Sequence, residues 1–272
     1  MRAVSAVRIL TIGLVGWLLA AGSADAQTLR AGGTGGAIGI LQRLGDAFSG
    51  KSESKVEIAS SLGSGGALRA LADGKLELVV SGRPLTAKEM STGLVQVAAL
   101  RTAYVFVTSH PKPNGLKSAD LPQIYAGTDR TWADGTPIRI ILRPPTDTDP
   151  ALLAKLFPGM EPAIERARGR AEVPTAPTDQ DNLALAESMP GSLTGAAAAQ
   201  VVTGRNHVNP IPIDGVEPTF ANFESGAYRF TKTFYLIVRQ DGGADALRFV
   251  EFIRSPHATK LLRDAETLPG AE

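Results

Sequence analysis

Two glycine-rich segments are spaced so that their backbone N–H groups could hold an anion. Seven glycines fall between Leu29 and Gly50, and "GSGG" occupies Gly63–Gly66. Each segment follows a strand-like stretch and opens a helical pattern, and a third strand ends in "SG" at Ser81 and Gly82. Helix N-termini at the carboxyl edge of a parallel sheet offer N–H groups and partial positive charge to a ligand. The same glycines could also serve only tight turns and close packing.

Strand and helix patterns alternate along the rest of the chain. Predicted strands cover 29–31, 55–62, 75–85, 94–109, 137–143 and 228–240. Predicted helices cover 37–48, 67–72, 151–157, 182–188, 196–202 and 244–253. This alternation is typical of α/β proteins in which a mainly parallel sheet is covered by helices.

A dinucleotide enzyme is one interpretation of the first glycine segment. "TGGAIGI" (Thr34–Ile40) resembles the turn of the short-chain dehydrogenases, and Tyr228 and Lys232 have the spacing of their YxxxK motif. That family carries the Tyr and the Lys one turn apart on a helix, whereas residues 228–240 have a strand pattern. Leu41 also replaces the last glycine of the turn. Nicotinamide chemistry is therefore disfavoured.

A nucleophilic serine or a metal site is disfavoured as well. Ser64 lies in "LGSGG", which lacks the first glycine of a nucleophile elbow. The histidines His110, His207 and His257 show neither a triad pattern nor metal-ligand spacing. We therefore expect no catalytic residue, no metal ion and no cofactor.

The first 26 residues are typical of a cleaved secretory signal peptide. Arg2 and Arg8 precede an apolar run of about 13 residues, shorter than the ~20 of a membrane span, and "ADA" places the cleavage site between Ala26 and Gln27. The chain has no cysteine, and its 28 basic residues nearly balance 27 acidic ones. We expect a periplasmic protein with no nucleic-acid or membrane-surface partner.

Five segments in a fixed order carry a resemblance to a known family. They are "GTGGAIGILQRLGDAF", "SSLGSGGALRALADGKLELVVSGRPLT", "LKSADLPQIYAGTDRTWADGTPIRIILR", "SGAYRFTKTFYLIV" and "LRFVEFIRSPHATKLL". Their order resembles that of the periplasmic phosphate-binding proteins of ABC importers, over nearly the whole chain after residue 26. The resemblance implies a two-lobed type II periplasmic binding protein fold. Each lobe is then a mainly parallel sheet flanked by helices, and a two-stranded hinge joins the lobes.

The resemblance also implies where a ligand would be held. Lobe 1 would comprise 27–109 plus 210–272, and lobe 2 would comprise 110–209, with an oxyanion in the cleft between them. Arg143 matches the arginine that clamps the ligand in this family. The other positions implied for ligand binding are Thr34, Gly35, Gly36, Ser64, Gly65, Ser81, Gly82, Asp147, Thr148 and Asp149.

Several positions depart from the family pattern. Glycine stands at Gly82, where the family has Asp or Ser, and Asp147-Thr148-Asp149 falls on the family's Ser-Gly-Thr. Carboxylates accept hydrogen bonds but do not donate them, so Asp147 and Asp149 would repel phosphate if they face the cleft. As helix caps facing solvent they would leave the site usable. Arg83 could turn into the site or clamp neighbouring loops.

We therefore expect a monomeric periplasmic solute-binding protein that resembles the phosphate receptor of ABC importers. It would hold a small oxyanion, phosphate or another, or a different anionic solute, and an ABC permease would be its membrane partner. The alternative is an envelope interaction module that kept the fold and lost both phosphate binding and transport.

Overall fold

A computed structural model describes residues 28–52, 54–60, 62–127 and 130–270. The predicted signal peptide, 1–26, lies outside the described residues. No helix in the described ranges is long and apolar enough to cross a membrane.

Nine strands and eleven α-helices are found in these ranges. The strands are β1 (Thr28–Gly33), β2 (Lys55–Ile58), β3 (Leu78–Ser81), β4 (Leu94–Thr108), β5 (Arg139–Ile140), β6 (Ser192–Ala197), β7 (Asn209–Ile211), β8 (Thr231–Arg239) and β9 (Thr267–Pro269). The helices are α1 (Gly35–Ser49), α2 (Gly63–Ala72), α3 (Ala87–Met90), α4 (Leu121–Ala126), α5 (Thr148–Leu156), α6 (Met160–Arg168), α7 (Asp179–Ser188), α8 (Ala198–Thr203), α9 (Phe220–Glu224), α10 (Ala244–Ile253) and α11 (Pro256–Asp264).

The first lobe is built on the strand order β2-β1-β3-β8-β4. β1 pairs in parallel with β2 and β3, whereas β8 runs antiparallel to β3 and β4. Leu78 and Val80 pack on the side of α1, and Val79 between them packs on the side of α2. Apolar residues therefore cover both faces of this sheet, as in α/β proteins with helices on either side.

Two adjacent chain segments connect this lobe to the second one. β4 pairs with β8 up to Ala103 and Thr231 and then continues, pairing with β6 and β7 instead. Beside it, the amide of Tyr104 donates to the carbonyl of Phe230 at 2.9 Å. This pair of neighbouring segments is the predicted two-stranded hinge.

The second lobe surrounds β4, β5, β6 and β7 and has its own core. β5 and β6 are parallel, and α4, α5, α6 and α7 contribute to the packing. Phe223, Tyr228 and Phe230 also belong to this core, although the sequence-based boundary at residue 210 assigns them to lobe 1. Since they pack with the second lobe, we propose lobe boundaries near 103 and 230 in place of 109 and 210.

The two predicted strand–turn–helix units are confirmed, but several predicted features differ from the structure. The sheets are mixed and not mainly parallel, since β8 runs antiparallel to β3 and β4, and β4 runs antiparallel to β6, β7 and β9. The predicted strand 137–143 is limited to β5, Arg139–Ile140. "GSGG" is the first turn of α2 and not a loop before it. The predicted helix over 196–202 begins as strand β6 and turns helical only at Ala198. The sequence "SLTGAAAA" has no apolar alternation, and its alanines favour a helix, so burial in the sheet overrides local propensity here.

Gly39 illustrates the packing role of one glycine in the first segment. A Cβ at this position would lie 2.1 Å from Thr203 Oγ1 and 2.6 Å from Thr203 Cβ, so α1 and α8 can approach only without it. Gly39→Ala is expected to lower the free energy of unfolding by about 1–3 kcal/mol through overpacking. Chemical denaturation measures this.

Thr203→Gly completes a double-mutant cycle with Gly39→Ala, because it removes the Thr203 side-chain atoms that the new Cβ would clash with. The double variant should recover part of the loss, since the two positions are in contact. A stability gain from Gly39→Ala alone, as ordinary helix propensity would give, would contradict the close approach of these helices.

Candidate ligand-binding site

Three helices begin around one cavity between the lobes. The first turn of α2, the loop that leads into α5 and the start of α7 line a space of about 430 Å³. α2 belongs to the first lobe, and α5 and α7 to the second. Helix N-termini carry unpaired N–H groups and a partial positive charge, so this convergence favours an anionic group in the cavity.

The α2 wall presents hydrogen-bond donors. Its first turn holds no acidic residue, and Leu62 at the N-cap offers no side-chain acceptor. The Ser64 hydroxyl accepts from the Gly82 amide at 2.9 Å, so its own proton remains available for a ligand. Arg69 also lines the cavity, is exposed, and has no hydrogen bond or ion pair with a described residue. This wall can therefore donate to an anion.

Arg143 lines the cavity but is already engaged by the protein. It is buried, and its Nη1 donates to the carbonyl of Ala176 at 2.6 Å. Its Nη2 donates to Asp147 Oδ2 at 2.6 Å and lies 3.7 Å from Asp179 Oδ2. Nε is buried without a hydrogen-bond partner. The two carboxylates thus take the position at this guanidinium that a ligand anion would otherwise occupy.

Asp147 has two roles at the start of α5. It is the N-cap residue, and its Oδ1 accepts from the amide of Asp149 at 2.9 Å. Its other oxygen pairs with Arg143, and the residue lines the cavity. Asp147 therefore caps the helix and also faces the cleft, which combines the two orientations that the sequence left open.

Asp149 does not line this cavity. It is buried to 1% exposure and forms an ion pair with Lys232 of β8, which is equally buried. Lys232 lies next to the hinge, opposite Thr102, so the pair joins the start of α5 to the strand that connects the lobes. The prediction that Asp149 contacts the ligand does not agree with this position, because its carboxylate is paired with the buried Lys232.

The buried charges around the site do not balance. Arg143 and Lys232 face three carboxylates, those of Asp147, Asp149 and Asp179. Burial raises the pKa of Asp149 to about 6 against the opposing attraction of Lys232, and the other two carboxylates add to the rise. Burial opposes the charge of Lys232, but the three carboxylates together raise its pKa above the ordinary value. The cluster carries one excess negative charge.

The first glycine segment lies beside the cavity and not on its wall. Thr34 is the N-cap of α1, and its hydroxyl lies 3.5 Å from Asp179 Oδ2 as a long hydrogen bond. The carbonyl of Gly35 accepts from the side chain of Gln180 at 3.2 Å, and Gly36 packs near Phe234. These residues therefore join the lobes, with an Asp179 carboxylate at the start of α1.

The "SGR" segment after β3 is held by its own contacts. The Ser81 hydroxyl donates to the carbonyl of Arg83 at 2.7 Å and accepts from its amide at 3.2 Å. The Arg83 guanidinium makes two bonds to Glu89, at 2.7 and 2.8 Å, and these bonds hold the Glu89 pKa down at about 2. Arg83 is thus the structural clamp between loops, one of the two roles that the sequence allowed.

Gly82 brings the two lobes into direct contact. A Cβ here would lie 2.7 Å from Thr148 Oγ1, so a side chain at this position would require Thr148 to move. Beyond the contact lies a second cavity of about 350 Å³, lined by Lys155 and by Thr231, Thr233 and Tyr235 of β8.

The structure therefore brings together only part of the predicted ligand set. Ser64, Gly65, Arg143, Asp147 and Thr148 line the first cavity. Thr34, Gly35, Gly36, Ser81, Gly82 and Asp149 are not part of that wall. Sequence reasoning missed Arg69, Asp179 and Lys232. Arg69 follows "GSGG" by one helical turn, which is the one local pattern that could have indicated it.

A comparison with protein families gives one match that covers most of the chain. The sequence profile described as the PBP superfamily domain matches residues 19–257. No curated protein matches the chain.

Solved structures with the same arrangement come from several bacteria. A Clostridium perfringens protein, described as a phosphate ABC transporter substrate-binding protein and solved with bound phosphate, superposes with a TM-score of 0.77 at 15% identity, covering 90% of this chain and 100% of its own. The Azotobacter vinelandii periplasmic molybdate-binding protein superposes with a TM-score of 0.61 at 15% identity, covering 89% of this chain and 100% of its own. An ABC-type phosphate transport receptor from Vibrio cholerae has a TM-score of 0.60 at 17% identity, and the match covers 88% of this chain and 99% of the receptor. These likenesses confirm the predicted two-lobed type II fold.

Proposed function

The chain belongs to the PBP superfamily, and from this premise we propose that it is a receptor that holds a small anionic solute in the cleft between its lobes. Its family and fold are those of solute-binding receptors, and we propose no catalytic role. The neighbours that bind phosphate and molybdate support an oxyanion or another anionic group as the ligand's recognised part. Export to the periplasm, a monomeric state and delivery to an ABC permease complete the proposal.

One observation carries the proposal: the N-terminus of α2, which has no side-chain cap, opens onto the first cavity. Ser64 and Arg69 supply side-chain donors on the same wall. Cross-lobe contacts at Gly82 and Gly35 close one side of the cleft, so the cavity is a pocket between touching lobes. A pocket whose first-lobe wall presents helix N–H groups, a hydroxyl and a guanidinium suits a ligand with an anionic group.

Thermal unfolding of the purified chain in the presence of single anions tests this function. A ligand present at 100 times its dissociation constant should stabilise the folded protein by about 2.7 kcal/mol. Inorganic phosphate, sulfate, molybdate and small organic acids form the panel. If neither the inorganic anions nor the organic acids shift the melting temperature, the receptor function is contradicted and the envelope interaction module gains support.

Arg69→Ala is expected to weaken binding of the stabilising anion about tenfold, because an exposed but unpaired guanidinium at the cavity would be lost. Isothermal titration measures the dissociation constant. Arg205→Ala is the matched control, since Arg205 is exposed and does not line the cavity. Equal dissociation constants for the Arg69 variant, the control and the wild type would remove Arg69 from the site. The Arg69 variant should fold normally, because Arg69 is exposed and has no hydrogen bond or ion pair with a described residue.

A further inference from the structure

We propose that the preferred ligand is a small organic acid with a hydroxyl or ammonium group next to its carboxylate, and not a bare inorganic oxyanion. This inference rests on the proposed function and narrows its ligand class. The two walls of the first cavity have opposite hydrogen-bonding character, so a ligand that fits both must carry an anionic group and a donor.

The wall from the second lobe offers acceptors. Asp147 and Asp179 both line the cavity, and ionised carboxylates can only accept hydrogen bonds. Arg143 does not compensate, since its Nη1 is bound to a carbonyl and its Nη2 to these carboxylates. A fully deprotonated tetrahedral oxyanion brings only acceptors to this wall, and like charges close together in a poorly solvated site repel by several kcal/mol.

The wall from the first lobe offers donors. The first turn of α2 holds no acid, the Ser64 hydroxyl has a proton to give, and Arg69 is exposed at the cavity without a described partner. A carboxylate fits here through the helix N–H groups and the guanidinium. The donor on the neighbouring carbon then points across the cavity toward Asp147 and Asp179.

The size of the cavity agrees with an organic ligand. Its volume of about 430 Å³ is many times the ~30 Å³ of one water molecule, so the cavity has room for more than a tetrahedral oxyanion. The lobes already touch at Gly82 and Thr148, so this space remains between lobes in contact. A three- or four-carbon acid would fill a substantial part of it.

Two matched series of acids test the inference on the wild-type chain. Lactate, alanine and propionate share three carbons, and malate, aspartate and succinate share four; in each series only the substituent on carbon 2 differs. We expect titration to show at least tenfold tighter binding of a hydroxyl- or ammonium-bearing acid than of its unsubstituted partner. Phosphate, sulfate and molybdate should bind at least tenfold more weakly than that acid.

Asp179→Asn distinguishes a ligand that carries a hydroxyl from one that carries an ammonium group. Asp241→Asn is the control, since Asp241 is exposed and lies outside the cavity. An ammonium ligand should lose more affinity than a hydroxyl ligand. The amide oxygen still accepts a hydrogen bond from either group, but only the ammonium also loses attraction to a negative charge. The same variant should tighten binding of inorganic phosphate. The wild-type series does not depend on this variant and stands if the variant fails to fold.

Equal affinity for substituted and unsubstituted acids would overturn the inference, and so would tighter binding of an inorganic oxyanion. Either result would leave the receptor function intact. Failure of all six acids also overturns the inference, and the receptor function is contradicted only if the inorganic anions fail as well.

Discussion

Replacing Lys232 by methionine is expected to lower the free energy of unfolding by about 3–5 kcal/mol, the usual cost of leaving one member of a buried ion pair without its partner. Lys232 and Asp149 are each about 1–2% exposed, and Asp147 and Asp179 already give the cluster excess negative charge. Removing a cation makes this imbalance larger. For a chain of this size the melting temperature should fall by roughly 10 °C.

A second substitution turns this loss into a specific test of charge. Adding Asp149→Asn to Lys232→Met removes the carboxylate that lost its partner, and most of the stability should return. Asp149→Asn alone should be tolerated at neutral pH, because it leaves two cations against two carboxylates. A Lys232→Met variant as stable as the wild type, or a double variant as unstable as the single one, would contradict the ion-pair assignment.

The pH dependence of stability provides a further check on Asp149. Its folded-state pKa of about 6 lies above the ordinary value of 3.8, so the folded chain binds this proton more tightly than the unfolded chain does. The contribution of this carboxyl to stability therefore grows as pH falls from 7 through 6 toward 4. Asp149→Asn lacks this contribution, so the wild type should gain stability relative to this variant as pH falls from 7.5. The relative melting temperatures, measured between pH 7.5 and 4, should keep changing until about pH 4, where this carboxyl is protonated in the unfolded chain as well.

Arg143→Leu is expected to lower the free energy of unfolding by about 3 kcal/mol, although the family resemblance implies a ligand clamp at this position. The guanidinium pairs with Asp147, lies 3.7 Å from a carboxylate oxygen of Asp179 and donates to the carbonyl of Ala176. Its loss leaves a buried acceptor and two carboxylates without this cation. Denaturant titration of the ligand-free protein measures the change.

Arg139→Leu is the control for this variant, since Arg139 lies in the adjacent strand but is exposed. It should change stability by less than about 0.5 kcal/mol. If Arg143→Leu is as stable as this control, the internal pairing of Arg143 is not energetically significant. The arginine would then be free to serve a ligand, as the family resemblance implies.

Local pattern was sufficient to predict most of the fold. The apolar spacing of α1 and the alternating strands around it mark the first lobe, and the glycine turns correctly point to helix N-termini at one sheet edge. Gly39 and Gly82 nevertheless serve close approach of Thr203 and Thr148. The purely structural interpretation of glycine therefore applies to Gly39 in the first segment and to Gly82 after β3.

The electrostatics of the site could not be predicted in this way. Asp149 pairs with a lysine 83 positions away, and Thr34 bonds to a carboxylate 145 positions away. Such pairings depend on how the lobes pack, and no local spacing encodes them. The sequence identified Asp147 and Asp149 as unusual, but only the packing separates the cavity-facing carboxylate from the one that is buried against Lys232.

A crystal structure of the chain with the acid that stabilises it most is the most direct test of the cleft as the binding site. The carboxylate should lie within hydrogen-bond distance of the first-turn amides of α2 and of Arg69, with the ligand's donor toward Asp147 or Asp179. Density for that acid in the second cavity beside Lys155, or on the outer surface with the first cavity filled only by water, would contradict this function for the cleft.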